Sequence, residues 1–446
     1  MTDMNSFIDR VLQSALEKGI APAEVYFANG DSFSAMCVKG DITNYSVNST
    51  GGLCLRGLVN GKVGYASTEA FDDEAIERLV TGVLESAALI EDPAEQEIFA
   101  GSKEYAAVDT SAHFDAATEA DKLSFLHALE EATLAVDQRV EQLTDVVLQT
   151  SSVTKTIKNT YGLSLTHSDH YVVTDVGALA KGGDKPASES AFRIRFRMDE
   201  LSAQELAKEA VEKTLFMLRG KPVKSGSYRA VFAPEAMTDM LSTFSGIFSS
   251  ENVQQGLSLL KDREGEKIAA DCVTLCDDPL YKDGFASCPF DAEGVAAYTK
   301  NVVENGVLKT LLYNLKTAKK AGKASTGNAS KADYTASVRV SPSNFFIVPG
   351  ETTLDALLLN VKDGIVITDV TGLHAGANAI SGDFSLSAKG YTVTGGKKDA
   401  PVNQITVAGN FYELLKNVRA VASDLKFTGA IGSPSVDVGE ISVAGE

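Results

Sequence analysis

The sequence predicts an α+β protein of two domains, each with a largely antiparallel sheet and packed helices. The 446 residues suit two or three domains of ordinary size. Segments with helical spacing of apolar residues are separated by segments that alternate as strands do. Beyond Gly220 the chain becomes more β-like and richer in glycine, which predicts a β-rich second domain.

The first helix is predicted over residues 5–18, where apolar residues recur at helical spacing until Gly19. Strand-like segments follow, and Asn60-Gly61 stands between two apolar runs. This pair predicts a hairpin, because a type I′ turn needs positive φ at both central residues. Residues 72–90 then carry a regular apolar face, which predicts a second helix.

A third helix is predicted over residues 120–137, followed by alternating segments over 140–148, 151–159 and 170–180. A capping box at Ser202-Ala-Gln-Glu begins another helix, which Gly220 and Pro222 end. We therefore place the domain boundary here, with an N-terminal α+β domain at residues 1–222 and a C-terminal β-rich domain at residues 223–446.

In the second domain, residues 228–233 predict a strand and residues 234–248 a helix. Asn305-Gly306 repeats the hairpin pattern within residues 302–308, and residues 411–422 form the last apolar helical pattern. The four lysines of residues 316–323 are interpreted as a solvated helix face.

Charge and targeting signals limit the partners. Lys and Arg total 41 and Asp and Glu total 60, giving a net charge of −19. Such a surface repels phosphate, so no nucleic acid partner is expected. The sequence shows no signal peptide and no stretch of apolar residues long enough to cross a membrane. With five cysteines expected to be reduced, the predicted location is the cytoplasm and no membrane contact is expected.

Metal chemistry has two weak candidates among the residues themselves. His167-Ser-Asp-His170 has metal-like spacing, but we place it in a turn and interpret both imidazoles as surface groups. Cys272, Cys276 and Cys288 could supply thiolates, although their spacing matches no common zinc module. Buried free cysteine is the preferred interpretation, and a metal site remains the alternative.

No catalytic template is recognisable. None of the five histidines stands in a His-Glu-x-x-His or His-Glu-x-x-x-His motif. The sequence also lacks a Gly-x-Ser-x-Gly elbow, a Walker-type loop and a Gly-x-Gly-x-x-Gly turn on a strand. The residues alone predict an α+β protein without an evident active site.

Five segments, taken together, resemble one known family. They are Gly52-Leu-Cys-Leu-Arg-Gly-Leu-Val-Asn-Gly-Lys-Val-Gly-Tyr-Ala66, Ala286-Ser-Cys-Pro-Phe-Asp-Ala-Glu-Gly-Val295, Gly306-Val-Leu-Lys-Thr-Leu-Leu-Tyr313 with Ser325-Thr-Gly-Asn328, Gly372-Leu-His-Ala-Gly-Ala-Asn-Ala-Ile-Ser-Gly-Asp-Phe384, and Ile405-Thr-Val-Ala-Gly-Asn410. In order and spacing they resemble the TldE (PmbA) branch of the TldD/TldE family over the whole chain.

The resemblance implies a heterodimeric metallopeptidase that acts on unfolded or modified peptides. The family also carries the label "modulator of DNA gyrase". In TldD a His-Glu-x-x-x-His helix in the C-terminal domain and a late cysteine hold the metal ion, and the Glu is expected to act as general base on metal-bound water. The resemblance therefore implies a metal ion, expected to be zinc, on a TldD-like partner subunit.

The corresponding helix of this chain contains no such ligands. An ungapped placement puts Ser242 and Thr243 at the positions of the first His and the Glu, and Ile247 at that of the second His. No histidine occurs between His170 and His374, and no cysteine follows Cys288. We therefore expect no metal ion, no cofactor and no complete catalytic site on this chain.

The glycine-rich segment 372–384 is expected to lie near the central cleft of the family. We assign a peptide-contacting or supporting role to a set of five of its residues, with a purely structural glycine loop as the alternative. The set is His374, Gly376, Asn378, Gly382 and Asp383.

The expected function is that of the non-metal subunit, which helps to form a peptide-binding chamber with a TldD-like partner. The alternative is a stand-alone homodimer that binds peptides or proteins without cleaving them. In either case the expected ligands are a peptide and a second subunit.

Overall fold

The first half of the chain forms one sheet covered by helices. The computed structural model describes residues 4–90, 97–114, 116–182 and 185–446. The elements of the first half are α1 (Met4–Glu17), β1 (Ala23–Val38), β2 (Asp41–Val59), β3 (Lys62–Thr68), α2 (Asp73–Ala88), α3 (Glu119–Val136), β4 (Val140–Asn159), β5 (Ser164–Lys181), β6 (Pro186–Arg195) and α4 (Ala203–Met217).

The six strands are antiparallel throughout, in the order β3-β2-β1-β4-β5-β6. Helices α1 and α2 bury their apolar faces against β1 and β2, and α3 and α4 do the same near β4 to β6. The predicted hairpin is confirmed: Asn60 and Gly61 have φ of 51° and 80° and join β2 to β3.

The second half adds shorter strands around a second core. Its elements are β7 (Gly226–Phe232), α5 (Pro234–Phe244), α6 (Ser250–Gln254), β8 (Leu275–Asp277), β9 (Lys300–Glu304), β10 (Val307–Leu308), α7 (Leu315–Ala321), β11 (Ala329–Ser330), β12 (Arg339–Val340), β13 (Phe345–Ile347), α8 (Leu354–Val361), β14 (Gly364–Thr371), α9 (Leu373–Gly376), β15 (Asp383–Thr394), β16 (Lys397–Asn410), α10 (Phe411–Asn417), β17 (Ala420–Val421), β18 (Lys426–Phe427), β19 (Ile431–Ser433) and β20 (Val436–Ala444).

One sheet of this half has the order β16-β15-β14-β7-β20-β17 and closes on itself, because β16 also pairs with β20. A second sheet has the order β10-β9-β8-β13-β19-β18, and β11 pairs with β12. Only two pairs of named strands described here are parallel, β7 with β14 and β13 with β19. The predicted α+β class with largely antiparallel sheets is confirmed.

Several predicted elements have different limits. The helix predicted over 411–422 ends at Asn417, because Ala420 and Val421 pair with β20. The helix predicted over 234–248 ends at Phe244 and tightens into a 3-10 turn over Ser245–Phe248. Part of the loop expected after residue 90 lies outside the described residues.

The first sheet ends at Arg195 and the strands of the second half begin at Gly226. The domain boundary at residues 222/223 stays a prediction. Among the described helices, none has both the length and the apolar composition needed to cross a membrane.

Candidate functional site

Helix α5, the predicted place of the family's metal site, is fixed by an apolar face. Pro234 occupies its first turn after the extended Ala233, a position where proline costs no hydrogen bond. Met237, Leu241 and Phe244 are fully buried, and the Phe244 ring stacks on that of Phe411 with 4.5 Å between centroids. The other side of α5 is left for partly exposed polar groups.

The three predicted ligand positions do not share one surface. Ser242 is exposed, and the half-buried Thr243 donates its hydroxyl to the Asp239 carbonyl at 2.8 Å. Ile247 is 1% exposed and belongs to the main apolar core. Two hydroxyls and an alkyl chain do not fit the imidazole, carboxylate and thiolate ligands that zinc needs. The correspondence of these positions to the family's ligands stays a prediction.

A charged group of side chains lies beside α5. Burial first, then the neighbouring Asp369 and Glu235, raise the pKa of Asp239 to about 6. Lys389 of β15 contacts Asp369 at 2.9 Å and Glu189 of β6 at 2.8 Å. The first sheet therefore reaches the strands next to α5 through this lysine.

The glycine-rich segment 372–384 lies next to α5, since α9 contacts that helix. Its turn is held by its own side chains: the Asn378 carboxamide oxygen accepts the backbone N–H groups of Ile380 and Ser381 at 3.0 and 3.1 Å. Asp383 accepts from Asn410 and Ser381, both at 2.8 Å, and these bonds hold its pKa below the ordinary value.

The glycines of this segment allow close packing. A Cβ at Gly376 would lie 2.4 Å from the Ser385 carbonyl oxygen, and one at Gly382 would lie 2.5 Å from the Tyr412 ring. His374, by contrast, is exposed. Of the five residues assigned to this segment, four therefore have structural contacts, and His374 is the one whose side chain is free to meet a ligand.

A cleft of about 320 Å³ lies between the first sheet and loops of the second half. Its polar lining includes Lys155 of β4, His167 and Asp169 of β5, and Lys331. Lys331 Nζ lies 4.8 Å from the centre of the Tyr26 ring, and burial lowers the pKa of this lysine. Because the lining carries two amines and an imidazole together with the carboxylates of Asp169 and Asp291, this cleft suits ligands that have both hydrogen-bond donors and acceptors.

A buried ionic triad lies close to this cleft. Arg56 Nε donates to Glu24 Oε1 at 2.7 Å, and Arg56 Nη1 lies 3.5 Å from Glu293 Oε1. All three side chains are at most 4% exposed. Burial acts to lower the pKa of Arg56, but Glu24 and Glu293 outweigh burial and hold that pKa above its ordinary value. Glu24 and Arg56 lie in the first sheet, whereas Glu293 lies in the second half.

The neighbouring carboxylate of Asp291 organises the loop that carries Glu293. Burial first, then Glu293, raise the pKa of Asp291, while backbone N–H groups oppose this shift. These donors belong to Glu293, Val295 and Ala329, at 2.9 to 3.0 Å. Glu293 in turn accepts the N–H of Leu315 at 2.9 Å, so the loop is bonded to the start of α7.

The structure thus groups the five sequence segments into two sites. Segments 52–66 and 286–295 meet at the triad, and segment 325–328, to which segment 306–313 is bonded through the Tyr313 N–H and Thr326 Oγ1, lines the cleft. Segments 372–384 and 405–410 meet beside α5 through Asn410 and Asp383. The triad was not predicted from the sequence. A signal was present in Arg56, a lone cation within an apolar strand, because such a charge needs a buried partner.

The two weak metal candidates are not realised. His167 and His170 lie on strand β5, not in a turn, and residues three apart on a strand point to opposite faces. Cys276 is buried and Cys288 partly so, but Cys272 is exposed, which contradicts its interpretation as buried. Within the described ranges, these three cysteines form no group with metal-sized spacing.

Comparison with known proteins defines the class. The chain matches three models of the PmbA/TldA metallopeptidase: domain 1 over residues 23–87, the central domain over residues 112–218 and the C-terminal domain over residues 225–445. These matches cover most of the 446 residues. The protein is of metallopeptidase type, and it belongs to the PmbA/TldD family.

Individual relatives are similar over nearly the whole chain. The metalloprotease PmbA homolog of Haemophilus influenzae is 26% identical over 436 residues, covering 96% of this chain and 93% of that protein. Metalloprotease PmbA of Escherichia coli O157:H7 is 26% identical over 432 residues, covering 95% and 92%. The predicted resemblance is therefore confirmed.

Two solved structures share the fold. A Thermotoga maritima protein described as a candidate modulator of a DNA gyrase is 32% identical, with a TM-score of 0.92, and the match covers 99% of this chain and 100% of that one. TldE from Thermococcus kodakarensis is 19% identical, with a TM-score of 0.89 over 98% of this chain and 100% of that one. The second likeness concerns the fold alone.

Proposed function

We propose that this chain is the non-metal subunit of a cytoplasmic heterodimeric metallopeptidase that acts on unfolded or modified peptides. A TldD-like partner would hold the catalytic metal ion, expected to be zinc, and both chains would form the peptide-binding chamber. The observation that carries the proposal is the composition of α5 and of the 3-10 turn that follows it, where Ser242, Thr243 and Ile247 offer neither imidazole nor carboxylate.

Within the chamber, we propose that His374 contacts the peptide and that Asn378, Gly382 and Asp383 hold the loop in shape. The exposure of His374 beside α5 supports this role. An exposed imidazole can donate to or accept from a peptide backbone without a large desolvation cost. The net charge of −19 supports a peptide over a nucleic acid as the ligand.

The test uses this chain purified alone, its TldD-like partner alone, and the two co-expressed. We expect cleavage of a denatured fluorogenic protein only by the complex, with activity lost on chelation and restored by zinc. A substitution in the partner's metal motif should abolish activity, since the catalytic ion belongs to that subunit. Peptide cleavage by this chain alone, with a metal ion bound at α5, is the result that contradicts the proposal.

The role of His374 is tested in the same complex. His374→Ala should lower peptidase activity by about tenfold, the size of one lost hydrogen bond to the reacting ligand, without changing association of the subunits. Thr371→Ala, a change at the exposed last residue of β14 directly before the segment, serves as the matched control and should have no effect. Equal activities of the two variants would show that His374 does not contact the peptide.

The same experiments distinguish the alternative function, a stand-alone homodimer that binds peptides or proteins without cleaving them. If this chain forms a stable homodimer, binds denatured peptides and never associates with the partner during co-expression, the heterodimer proposal is wrong. An electrophoretic shift assay at low salt tests whether the chain binds duplex DNA, and no binding is expected.

A further inference from the structure

Three metal-ligating side chains meet far from α5, where the turn between β1 and β2 packs against helix α3. Cys37 is the second-last residue of β1, and His127 and Glu130 are three apart on α3, which places them on one face of the helix. Cys37 and Glu130 are 2% and 7% exposed, and His127 is half-buried. The three donor atoms lie within 4.8 Å of one another.

The distances resemble those of a tetrahedral zinc site. Cys37 Sγ lies 3.6 Å from His127 Nδ1 and 3.3 Å from Glu130 Oε2. With Zn–S near 2.3 Å and Zn–N or Zn–O near 2.1 Å, tetrahedral angles place sulfur about 3.6 Å from each of the other donors. The sulfur–nitrogen distance already fits, and the sulfur–oxygen distance needs to open by a few tenths of an ångström.

The surroundings of Glu130 also point to a cation. Its Oε2 accepts from two neutral groups, the Gly40 N–H at 2.8 Å and the Cys37 thiol. A buried carboxylate is costly unless a positive charge or strong donors compensate it. A divalent ion in place of the thiol proton would supply that charge, and the Gly40 N–H would remain to orient the carboxylate, as donors behind metal ligands commonly do.

We propose that Cys37, His127 and Glu130 bind one Zn²⁺, with water as the fourth ligand, and so attach the β1–β2 turn to α3. Binding releases the thiol proton to solvent and forms a Zn–thiolate bond, without any change of oxidation state. A thiolate, an imidazole and one carboxylate favour zinc over magnesium or calcium, which prefer oxygen ligands alone. The expectation of no metal ion at α5 stays a prediction, and this proposal departs from it only at the β1–β2 turn.

The test titrates Zn²⁺ into the full-length chain, reduced and freed of metal with a chelator, in competition with a chromophoric zinc indicator. We expect one equivalent to bind, and Co²⁺ in its place to give a sulfur-to-cobalt charge-transfer band in the near ultraviolet. Cys37→Ser should abolish that band and weaken zinc binding by about 100-fold or more. His127→Gln and Glu130→Gln should each weaken it by about tenfold or more.

Matched controls use the other free thiols. Cys54→Ser changes a buried cysteine outside the cluster and should leave zinc binding intact. Because His127 is only half-buried, His127→Gln keeps the test valid if Cys37→Ser fails to fold. Thermal unfolding without metal checks that every variant is folded. Zinc should raise the unfolding temperature of the native chain by several degrees but not that of His127→Gln.

Two outcomes overturn the proposal. One is the absence of zinc binding by the native chain at micromolar concentrations. The other is binding that survives Cys37→Ser but is lost when Cys272, Cys276 and Cys288 are replaced by serine. Neither outcome bears on the peptidase proposal, whose catalytic ion lies on the partner and whose readout is peptide cleavage.

Discussion

Asp239 illustrates how surroundings change a single residue of the candidate site. Its carboxyl group lies on α5, where burial, Asp369 and Glu235 raise its pKa to about 6 from an ordinary 3.8. The folded chain therefore binds this proton more tightly than the unfolded chain does. The resulting stability is present below about pH 4 and is lost as the pH rises toward and through about 6.

We predict that Asp239→Asn stabilises the protein at pH 8 by about 1–2 kcal/mol, because the amide removes a disfavoured negative charge. At pH 4 the native carboxyl group is protonated, so the two proteins should differ little. Urea unfolding at both pH values measures the effect, with Asp283→Asn as the control on an exposed aspartate. A stabilisation independent of pH would show that charge is not its cause.

For single residues, features that depend on one short segment could be predicted from the sequence, whereas contacts between residues far apart in the chain could not. That Ser242, Thr243 and Ile247 carry no imidazole, carboxylate or thiol could be read directly from one short segment, whereas their correspondence to the family's metal ligands stays a prediction. The burial of Ile247 could not, since it depends on how α5 tightens and packs. Cys37 lies 90 residues from His127, so no local spacing could indicate their contact.

Among the elements, the glycine-rich segment 372–384 shows two different uses of glycine. Gly372 and Gly382 both have φ of 84°, a left-handed conformation that glycine adopts without strain. A Cβ at Gly372 would meet nothing within 4 Å, whereas one at Gly382 would lie 2.5 Å from the Tyr412 ring. One glycine serves backbone conformation alone, and the other serves conformation and packing.

We predict that Gly372→Ala lowers the free energy of unfolding by about 1–2 kcal/mol and Gly382→Ala by about 2–4 kcal/mol. The difference is the contact with Tyr412, whose hydroxyl also donates to the Ile380 carbonyl at 3.3 Å. Chemical denaturation of the two variants measures both values. If Gly382→Ala lowers the free energy of unfolding as much in a Tyr412→Ala background as in the native chain, the packing explanation is wrong.

Most elements could be predicted, and the exceptions share a cause. The hairpins at Asn60-Gly61 and Asn305-Gly306 formed as predicted because turn chemistry is local. The helix predicted to 422 ends at Asn417, since pairing of Ala420 and Val421 with β20 outweighs their helical pattern. The assignment of His167 and His170 to a turn failed for a similar reason, because long-range pairing extends β5 over both residues.

At the scale of the whole molecule, the two halves are joined by buried charge as well as by apolar contact. Arg56 and Glu24 from the first sheet meet Glu293 from the second half. Tyr105 of the first half donates its hydroxyl to the Gly294 carbonyl at 2.8 Å, beside the same loop. Removing one member of a buried ionic group leaves an uncompensated charge, which costs about 3–5 kcal/mol.

We predict that Arg56→Met loosens both halves at once, because Glu24 and Glu293 each lose their buried counter-charge. Hydrogen exchange read by mass spectrometry should become at least about tenfold faster in residues 53–58 and also in residues 291–295. The matched control is Arg229→Met, which removes the partner of the 1%-exposed Asp437 entirely within the second half. Its effect should stay in β7 and β20, which carry that pair.

The charge explanation is separable from simple loss of packing. Replacing Glu24 and Glu293 by glutamine in the Arg56→Met background removes both uncompensated charges, so part of the lost protection should return in both halves. Arg56→Met exchange that is faster only in residues 53–58 would instead mean that the halves are held together by other contacts. Loss of protection in both segments after Arg56→Met, and its recovery in both after the glutamine replacements, would identify the triad as the contact that joins the two halves beside the cleft.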